Sequence, residues 1–229
     1  MTDRLENQHL LIDADDTLWE NHAYFLDVHI TFLDLMEERG FPRDRVTRTL
    51  HEIESVRTRT QGYGSRNFAL SLIETVRRLN GSIDRELEER LLATGRWIHD
   101  HPIELFPGVR ETLAELEPRH ELILVTKGDP EEQRSKLERS GLRPFFDAVE
   151  ILPEKSTSHY HEIAERHGLR EGTAWMIGNS PKSDINPARR AGLRTVHIPH
   201  RSLWEFEAED MDGEPDLTLS RFRELTKHF

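Results

Sequence analysis

Two hydrophobic patterns divide the chain into a helical stretch and an alternating one. From about residue 19 to about residue 99, apolar residues recur at three- and four-residue spacing, which is typical of amphipathic helices. Glycine, proline and asparagine interrupt this pattern and mark the helix ends. We therefore predict four helices, with apolar stripes over Tyr24–Met36, Val46–Val56, Phe68–Leu79 and Leu87–Ile98.

Short aliphatic runs separated by helical stretches occupy the rest of the chain. The first run, Leu10–Ile12, precedes the helical stretch, and from residue 100 onward strands and helices alternate. Strands separated by helices pair in parallel through right-handed crossovers. The pattern predicts further strands at Glu121–Val125, within Phe146–Leu152, at Ala174–Ile177, at Thr195–Ile198 and, at the edge, Asp216–Leu219.

These elements predict an α/β fold, a doubly wound parallel sheet with an all-helical insertion after the first strand. The predicted core domain comprises residues 1–18 and 100–229, and the predicted insertion comprises residues 19–99. A last helix, capped by Ser220, is predicted to cover the sheet.

Composition narrows the classes of function. The chain of 229 residues carries a net charge of -12 and shows no basic stripe, so we expect neither nucleic acid nor an anionic membrane as a partner. It contains no cysteine, which excludes disulfides, thiolate metal sites and cysteine nucleophiles. The aliphatic runs are strand-sized, so we expect no signal peptide, no membrane span and a cytoplasmic location.

The first predicted strand runs directly into acidic residues. Asp13, Asp15 and Asp16 follow Ile12 at the point where the strand would leave the sheet, and open α/β sheets bind ligands at that edge. Three carboxylates within four residues repel one another, so they need a compensating cation or a solvated turn. For an isolated pair of aspartates the solvated turn is the commoner explanation.

Three later strands also end in polar residues, which are Thr126, Lys155, and Asn179 with Asp184. Together with the acids after the first strand, they form a set that can hold a dianion and a divalent cation at once. Such a set fits phosphoryl transfer, in which positioning and charge neutralisation dominate catalysis.

These residues resemble the four motifs of the haloacid dehalogenase (HAD) superfamily. The motifs stand here as Asp13-Ala14-Asp15-Asp16-Thr17, Thr126, Lys155, and Gly178-Asn179-Ser180 with Asp184. The resemblance covers roughly residues 9–18 and 100–200. It implies a Rossmann-like core, and the helical stretch stands where phosphatases of this superfamily with an α-helical cap insert that cap.

The resemblance implies a role for each of these residues. Asp13 would be the nucleophile that forms an aspartyl-phosphate, and Asp15 the general acid and base, a role that an elevated pKa helps. Thr126 would hydrogen-bond a phosphoryl oxygen, and Lys155 would neutralise charge. The implied cofactor is Mg²⁺, with Asp13, the backbone carbonyl of Asp15, Asn179 and Asp184 as its ligands.

Two positions, Asp15 and Asn179, indicate which reaction of the superfamily to expect and how the metal site differs. Asp15 favours cleavage of a phosphoester, because dehalogenases of the superfamily lack this aspartate and a halide leaves without a proton. Asn179 departs from the family pattern, which most often has aspartate there. An amide oxygen can still ligate Mg²⁺, but one negative charge is lost.

The sequence therefore predicts a Mg²⁺-dependent phosphatase that hydrolyses a small phosphorylated metabolite. A phosphomutase of the same fold and a non-catalytic member that binds a phosphorylated ligand stay open as alternatives. The sequence predicts neither the substrate nor whether the protein is a monomer or a homodimer.

Other polar features carry weaker predictions. In the loop Gln61–Asn67, glycines flank Tyr63 between two helices of the predicted cap. We predict that Tyr63 and Arg66 contribute to substrate selectivity, with a plain interhelical turn as the alternative. The histidines show no metal-binding spacing, and Lys127 and Lys182 are interpreted as solvated.

Overall fold

The computed structural model describes residues 4–202, 204 and 207–229. The chain divides into two compact units. One, which we call the α/β unit, comprises Met1–His22 and Ile103–Phe229, and the other, the helical unit, comprises Ala23–Pro102. The sequence-based prediction placed these boundaries after residues 18 and 99.

The helical unit consists of four helices whose apolar stripes form one core. They are α1 (His22–Glu38, which begins one residue before the unit), α2 (Arg43–Gln61), α3 (Ser65–Asn80) and α4 (Arg85–Asp100). Phe32, Leu50, Leu72 and Leu91 are buried in that core. Gly95 allows α4 to approach α3, because a Cβ there would lie 2.8 Å from a backbone oxygen of α3. The predicted helical insertion is therefore present.

The α/β unit is built on a six-stranded parallel sheet with the order β3-β2-β1-β4-β5-β6. Its elements are β1 (His9–Ile12), α5 (Val109–Leu116), β2 (Glu121–Lys127), α6 (Pro130–Ser140), β3 (Ala148–Leu152), α7 (Thr157–Arg166), β4 (Ala174–Gly178), α8 (Asn186–Arg190), β5 (Arg194–His197) and β6 (Leu217–Thr218). A 3-10 turn, Arg143–Phe145, precedes β3. The doubly wound parallel sheet predicted from the sequence is confirmed.

Apolar layers cover both faces of the sheet. Successive residues of a strand point to opposite faces. Leu10 and Ile12 of β1 accordingly pack with the cluster that includes α5, and Leu11 packs with Tyr160 and Ile163 of α7. Since β1 lies between β2 and β4, Leu10, Leu11 and Ile12 are fully buried. The carboxyl end of β1 lies in the middle of the sheet edge.

Two details differ from the prediction. The last helix is a 3-10 helix, Phe222–Lys227, and it starts after Arg221 without a cap from Ser220. The helix after β4 begins with a π-helical turn, Pro181–Ile185, before α8. Within the part of the chain that the structure describes, no helix has the length and apolar character needed to cross a membrane.

A proline explains the irregular start of α8. Pro187 has no N–H to donate to the carbonyl of Ser183 four residues earlier. The hydroxyl of Tyr160 donates to that carbonyl instead, at 3.0 Å. The turn that carries Asp184 is thereby fastened to α7.

Candidate active site

The sheet register brings the predicted residues to one edge. Ile12 pairs with Leu124 of β2 and with Ile177 of β4, and the N–H of Asp13 donates to the carbonyl of Ile177 at 2.9 Å. The carboxyl ends of parallel strands meet at the same edge of a sheet. Residues that follow β1, β2 and β4 are therefore neighbours in space.

A buried triad of charges lies at the centre of this edge. Lys155 Nζ donates to Asp13 Oδ1 at 2.5 Å and to Asp184 Oδ1 at 2.7 Å, and all three side chains are buried. Burial alone would lower the pKa of Lys155, but the two carboxylates outweigh it and raise that pKa, so the ammonium stays charged. The structure thus joins three of the predicted residues.

The triad carries more negative than positive charge. Burial and the nearby Asp184 raise the pKa of Asp13 to about 7, against the opposing attraction of Lys155. Two carboxylates around one ammonium leave an excess negative charge in a site with little water. A cation bound beside Asp13 and Asp184 would neutralise that excess.

Thr17 connects Asp13 to the fourth motif. Its Oγ1 donates to Asp13 Oδ2 at 2.7 Å and lies 3.3 Å from Asn179 Oδ1. A hydroxyl has a single proton to donate, so the shorter contact, to Asp13, takes it. Asn179 is itself buried, and His197 Nε2 lies 3.1 Å from its backbone oxygen.

Gly178 makes room for Asp184. A Cβ at this glycine would lie 2.3 Å from Asp184 Oδ2, so any side chain would displace the carboxylate. The same oxygen accepts a hydrogen bond from the N–H of Ser180 at 2.9 Å. The turn after β4 therefore places Asp184 against the end of its own strand.

Asp15 is held by a different set of residues. Lys136 Nζ lies 3.0 Å and 2.9 Å from its two oxygens, Gln133 Nε2 donates to Oδ2 at 3.0 Å, and Trp19 Nε1 donates to Oδ1 at 2.7 Å. Burial would raise the pKa of Asp15, but Lys136 and these hydrogen bonds outweigh it and lower that pKa. The expectation of an elevated pKa is therefore wrong for the carboxylate in this structure, because Lys136 was not foreseen.

Thr126 is also reached by Gln133. The hydroxyl of Thr126 is buried at the end of β2 and accepts a hydrogen bond from Gln133 Nε2 at 2.7 Å. Gln133 therefore links the predicted phosphate-binding hydroxyl to Asp15.

Asp16, the third acid after β1, forms the turn that leads into α1. Its backbone is left-handed, with φ 62°, and its Oδ1 accepts the N–H groups of Asn21 and His22, each at 2.9 Å. Burial raises its pKa to about 7. Asp16 therefore forms a turn before α1, but the carboxylate in that turn is partly buried and not freely solvated.

A second acidic cluster lies beside that turn. Single ligand atoms of Asp16, Glu20 and His200 lie within 4.8 Å of one another. Glu20 is paired there with Arg201 at 2.9 Å and contacts His200 at 3.5 Å. This cluster shares no residue with the predicted metal ligands, whose set contains only two side-chain carboxylates.

Tyr63 and Arg66 belong to the helical unit. The loop is shorter than predicted and comprises Gly62–Gly64, with φ 83° and 123° at the two glycines. Tyr63 lies in this loop, whereas Arg66 is exposed in the first turn of α3. Asn67 Nδ2 donates to the carbonyl of Gly62 at 3.0 Å and holds the loop against the helix.

The interpretation of Lys127 as solvated is wrong. Its side chain is 15% exposed, and its Nζ contacts Glu207 Oε1 at 2.5 Å, Ser183 Oγ at 2.9 Å and Glu154 Oε1 at 3.2 Å. Glu207 also accepts from the hydroxyls of Ser180 and Ser183, at 2.8 Å and 2.5 Å. A glutamate from the C-terminal segment thus contacts residues at the ends of two strands, β2 and β4.

Sequence analysis missed Gln133, Lys136 and Glu207 as site residues. One signal could have found the lysines, because the chain has only five of them beside 26 arginines. Lys127, Lys136 and Lys155 all lie at this edge of the sheet, each with a side chain at most 15% exposed. No comparable signal marks Gln133 or Glu207.

Comparison with known proteins identifies the family. The model of the haloacid dehalogenase-like hydrolases matches residues 45–198, and the chain belongs to that family. It is similar to a glyceraldehyde 3-phosphate phosphatase of Methanopyrus kandleri, with 29% identity over 226 residues and 94% of each chain covered. It is also similar to a phosphoserine phosphatase of Thermus thermophilus, with 35% identity over 127 residues that cover 53% of this chain and 49% of that protein.

A solved structure shares the whole architecture. It is a haloacid dehalogenase-like family hydrolase from Xanthomonas campestris, with 27% identity, a TM-score of 0.82, and coverage of 97% of this chain and 95% of that one. The resemblance seen in the sequence motifs is therefore confirmed, and both of the named curated relatives above are phosphatases.

Proposed function

We propose that this protein is a Mg²⁺-dependent phosphatase that hydrolyses a small phosphomonoester through an aspartyl-phosphate on Asp13. The observation that carries the proposal is the buried contact of Asp13 with Lys155 and Asp184, with Asp15 and Thr126 at the same sheet edge. The phosphatase relatives support the same reaction.

The chain's own residues can perform both displacements. In the first, a carboxylate oxygen of Asp13 attacks phosphorus and the bond to the leaving oxygen breaks. Asp15, which is ionised before substrate binds, takes the proton of the phosphomonoester monoanion and passes it to that leaving oxygen. In the second, Asp15 takes a proton from water as the water oxygen bonds to phosphorus and the bond to Asp13 breaks. Lys155 and the hydroxyl of Thr126 stabilise negative charge on the phosphoryl oxygens in both steps.

The residues at the centre fit a magnesium ion. Asp13 and Asp184 supply carboxylate oxygens with excess negative charge, Asn179 supplies an amide oxygen, and Asp15 supplies its backbone carbonyl. Mg²⁺ prefers such hard oxygen ligands and keeps several waters. When bound, it would supply positive charge against the transferring phosphoryl group.

Substrate choice is proposed from the relatives and from the helical unit. Glyceraldehyde 3-phosphate is the first compound to test, because the relative that matches along 94% of its length is a phosphatase of that name. We expect Tyr63 and Arg66 to bias selectivity, and unchanged substrate preference in Tyr63→Ala and Arg66→Ala would remove that expectation. The cytoplasmic location and the absence of nucleic-acid and membrane partners stay predictions.

Release of phosphate from 4-nitrophenyl phosphate, with and without Mg²⁺, tests the proposal. We expect metal-dependent turnover by the wild type and a loss of about 10³-fold or more in Asp13→Asn, which keeps the shape of the side chain. Binding of Mg²⁺, followed by a shift in the unfolding temperature, gives a readout that does not require turnover. Turnover that persists in Asp13→Asn would contradict the proposed nucleophile, and a wild type that is inactive with every phosphoester tested would contradict the phosphatase.

A further inference from the structure

We infer that Gln133 and Lys136 of helix α6 are positioning residues for proton exchange by Asp15. Together they hold the carboxylate of Asp15 beside the phosphate-binding hydroxyl of Thr126, and we call this pair the α6 clamp. This inference rests on the proposed phosphatase function. It adds two residues that lie outside the four motifs and act on the substrate only through Asp15 and Thr126.

The donors around Asp15 fix the plane of its carboxylate. Lys136 Nζ contacts both oxygens, at 3.0 Å and 2.9 Å, and Trp19 Nε1 donates to Oδ1. Gln133 Nε2 lies 3.0 Å from Oδ2. Rotation about the Cβ–Cγ bond would break these contacts together. A general acid must be held within hydrogen-bond reach of the atom that it protonates, and small misplacements are costly.

Lys136 has no donor left for a phosphate. Its third N–H donates to Asn21 Oδ1 at 2.8 Å, and its side chain is 9% exposed. An ammonium has three protons, and two contacts to Asp15 with one to Asn21 use all of them. The role of Lys136 is therefore directed at Asp15, in contrast to the role proposed for Lys155.

Gln133 contacts both Asp15 and Thr126. Its Nε2 lies 2.7 Å from Thr126 Oγ1, 2.7 Å from the carbonyl of Lys127 and 3.0 Å from Asp15 Oδ2. An amide nitrogen has two protons, so the three acceptors share them and the contact with Asp15 is the longest. Because the Thr126 hydroxyl accepts from Gln133, its own proton stays available for a phosphoryl oxygen. One side chain thus sets the position of the acid relative to the phosphate-binding hydroxyl.

The start of α6 fixes where the clamp lies. Asp129 caps the helix by accepting the N–H groups of Glu131 and Glu132, at 3.0 Å and 2.9 Å, and Pro130 occupies the first turn. Both features favour a helix that begins at this residue. Gln133 and Lys136, three residues apart, then lie on one face of the helix.

The leaving group of the substrate separates this role from a purely structural one. Phenolate is a strong base, as the tyrosine pKa of about 10 shows, and needs a proton on departure, whereas 4-nitrophenolate is a far weaker base and needs little help. We would therefore measure kcat/KM for phenyl phosphate and 4-nitrophenyl phosphate in the wild type and in Lys136→Met. These esters share a ring and a phosphate, and kcat/KM reports the steps up to departure of the leaving group.

We expect Lys136→Met to lower kcat/KM for phenyl phosphate about 100-fold, a factor within the range that general acid catalysis supplies. For 4-nitrophenyl phosphate the loss should be less than about 10-fold. Lys136→Arg keeps the positive charge and should recover most of the kcat/KM that Lys136→Met loses with phenyl phosphate. The matched control is Arg134→Met, an exposed cation on the same helix, which should leave both values unchanged.

Equal losses for both esters, or no loss for either, would overturn the clamp. If Lys136→Met does not fold, Lys136→Gln carries the same test, because it removes the ammonium that contacts both oxygens of Asp15. A wild type that turns over 4-nitrophenyl phosphate with Mg²⁺ but shows an unchanged ratio in the variants would refute the clamp and leave the phosphatase standing. A wild type that turns over no phosphoester would refute the phosphatase itself.

Discussion

The two units of the protein treat buried charge in different ways. At the edge of the sheet, Asp13 and Asp184 surround Lys155, and Asp15 contacts Lys136. In the helical unit, all of whose residues are described, Glu54 is the one ionisable side chain that is buried, and burial raises its pKa to about 7. A lysine opposes the effect of burial on the pKa of Asp13 and Asp15 in the α/β unit, whereas burial is the cause that acts on the pKa of Glu54 in the helical unit.

Removal of Lys155 should produce the largest change, because it leaves two buried carboxylates facing each other. We expect Lys155→Met to lower the free energy of unfolding by about 3–5 kcal/mol. The loss should be greater at about pH 8 than at about pH 5, since protonation of one carboxyl relieves the repulsion at lower pH. Chemical denaturation of the wild type and the variant at the two pH values measures this.

Lys227 offers the matched control for that substitution. It lies in the same unit, its side chain is 68% exposed, and its contact with Glu224 is 3.4 Å. An exposed pair of this kind contributes little to stability, so Lys227→Met should cost less than about 1 kcal/mol at either pH. Similar losses in both lysine variants would show that the buried triad does not depend on its ammonium.

The apolar patterns of the two units locate most of the secondary structure and part of the candidate site. Asp13, Thr126, Lys155 and Asp184 could be located because each lies at or after the end of a strand whose apolar run is visible. Parallel strands bring these ends together. The helices could be located from their stripes. Thus the fold and the centre of the candidate site follow from local patterns.

The partners of those residues could not be predicted in the same way. Lys136 and Gln133 lie inside an amphipathic helix, where a polar residue has no local sign of pointing toward the sheet edge. Glu207 comes from an acidic segment in which the charge of any one residue is unremarkable. Their roles depend on long-range packing, which periodicity does not encode, and the lowered pKa of Asp15 was missed for the same reason.

Glu207 provides the next largest effect. Burial would raise its pKa, but Lys127 and the hydroxyls of Ser180 and Ser183 outweigh it and lower that pKa. Glu207→Gln keeps the shape and removes the charge, and we expect a loss of about 1.5–3 kcal/mol near neutral pH. A carboxyl with a lowered pKa stabilises the fold above the pKa of about 4.3 that it has when unfolded, so the difference should shrink as the pH falls below that value.

Thermal unfolding of Glu207→Gln beside Glu214→Gln measures this effect. Glu214 is exposed in the same acidic segment, so its substitution removes an equal charge without disturbing a buried contact. We expect a change within about 0.5 kcal/mol in that control. A difference for Glu207→Gln that stays constant down to about pH 3 would contradict an ionised, paired glutamate.

Glu54 should give the smallest effect and the opposite sign. Because burial raises its pKa from 4.5 to about 7, the folded state binds more protons than the unfolded state between those values, and stability falls as the pH rises through that window. Glu54→Gln removes the loss and should stabilise the protein by about 1–2 kcal/mol above pH 7, with little effect near pH 4. Glu52→Gln on the same helix, where the side chain is 71% exposed, should show no such pH dependence. Destabilisation by Glu54→Gln above pH 7 would mean that the helical unit keeps its buried charge as the sheet edge does, and the contrast between the units would fail.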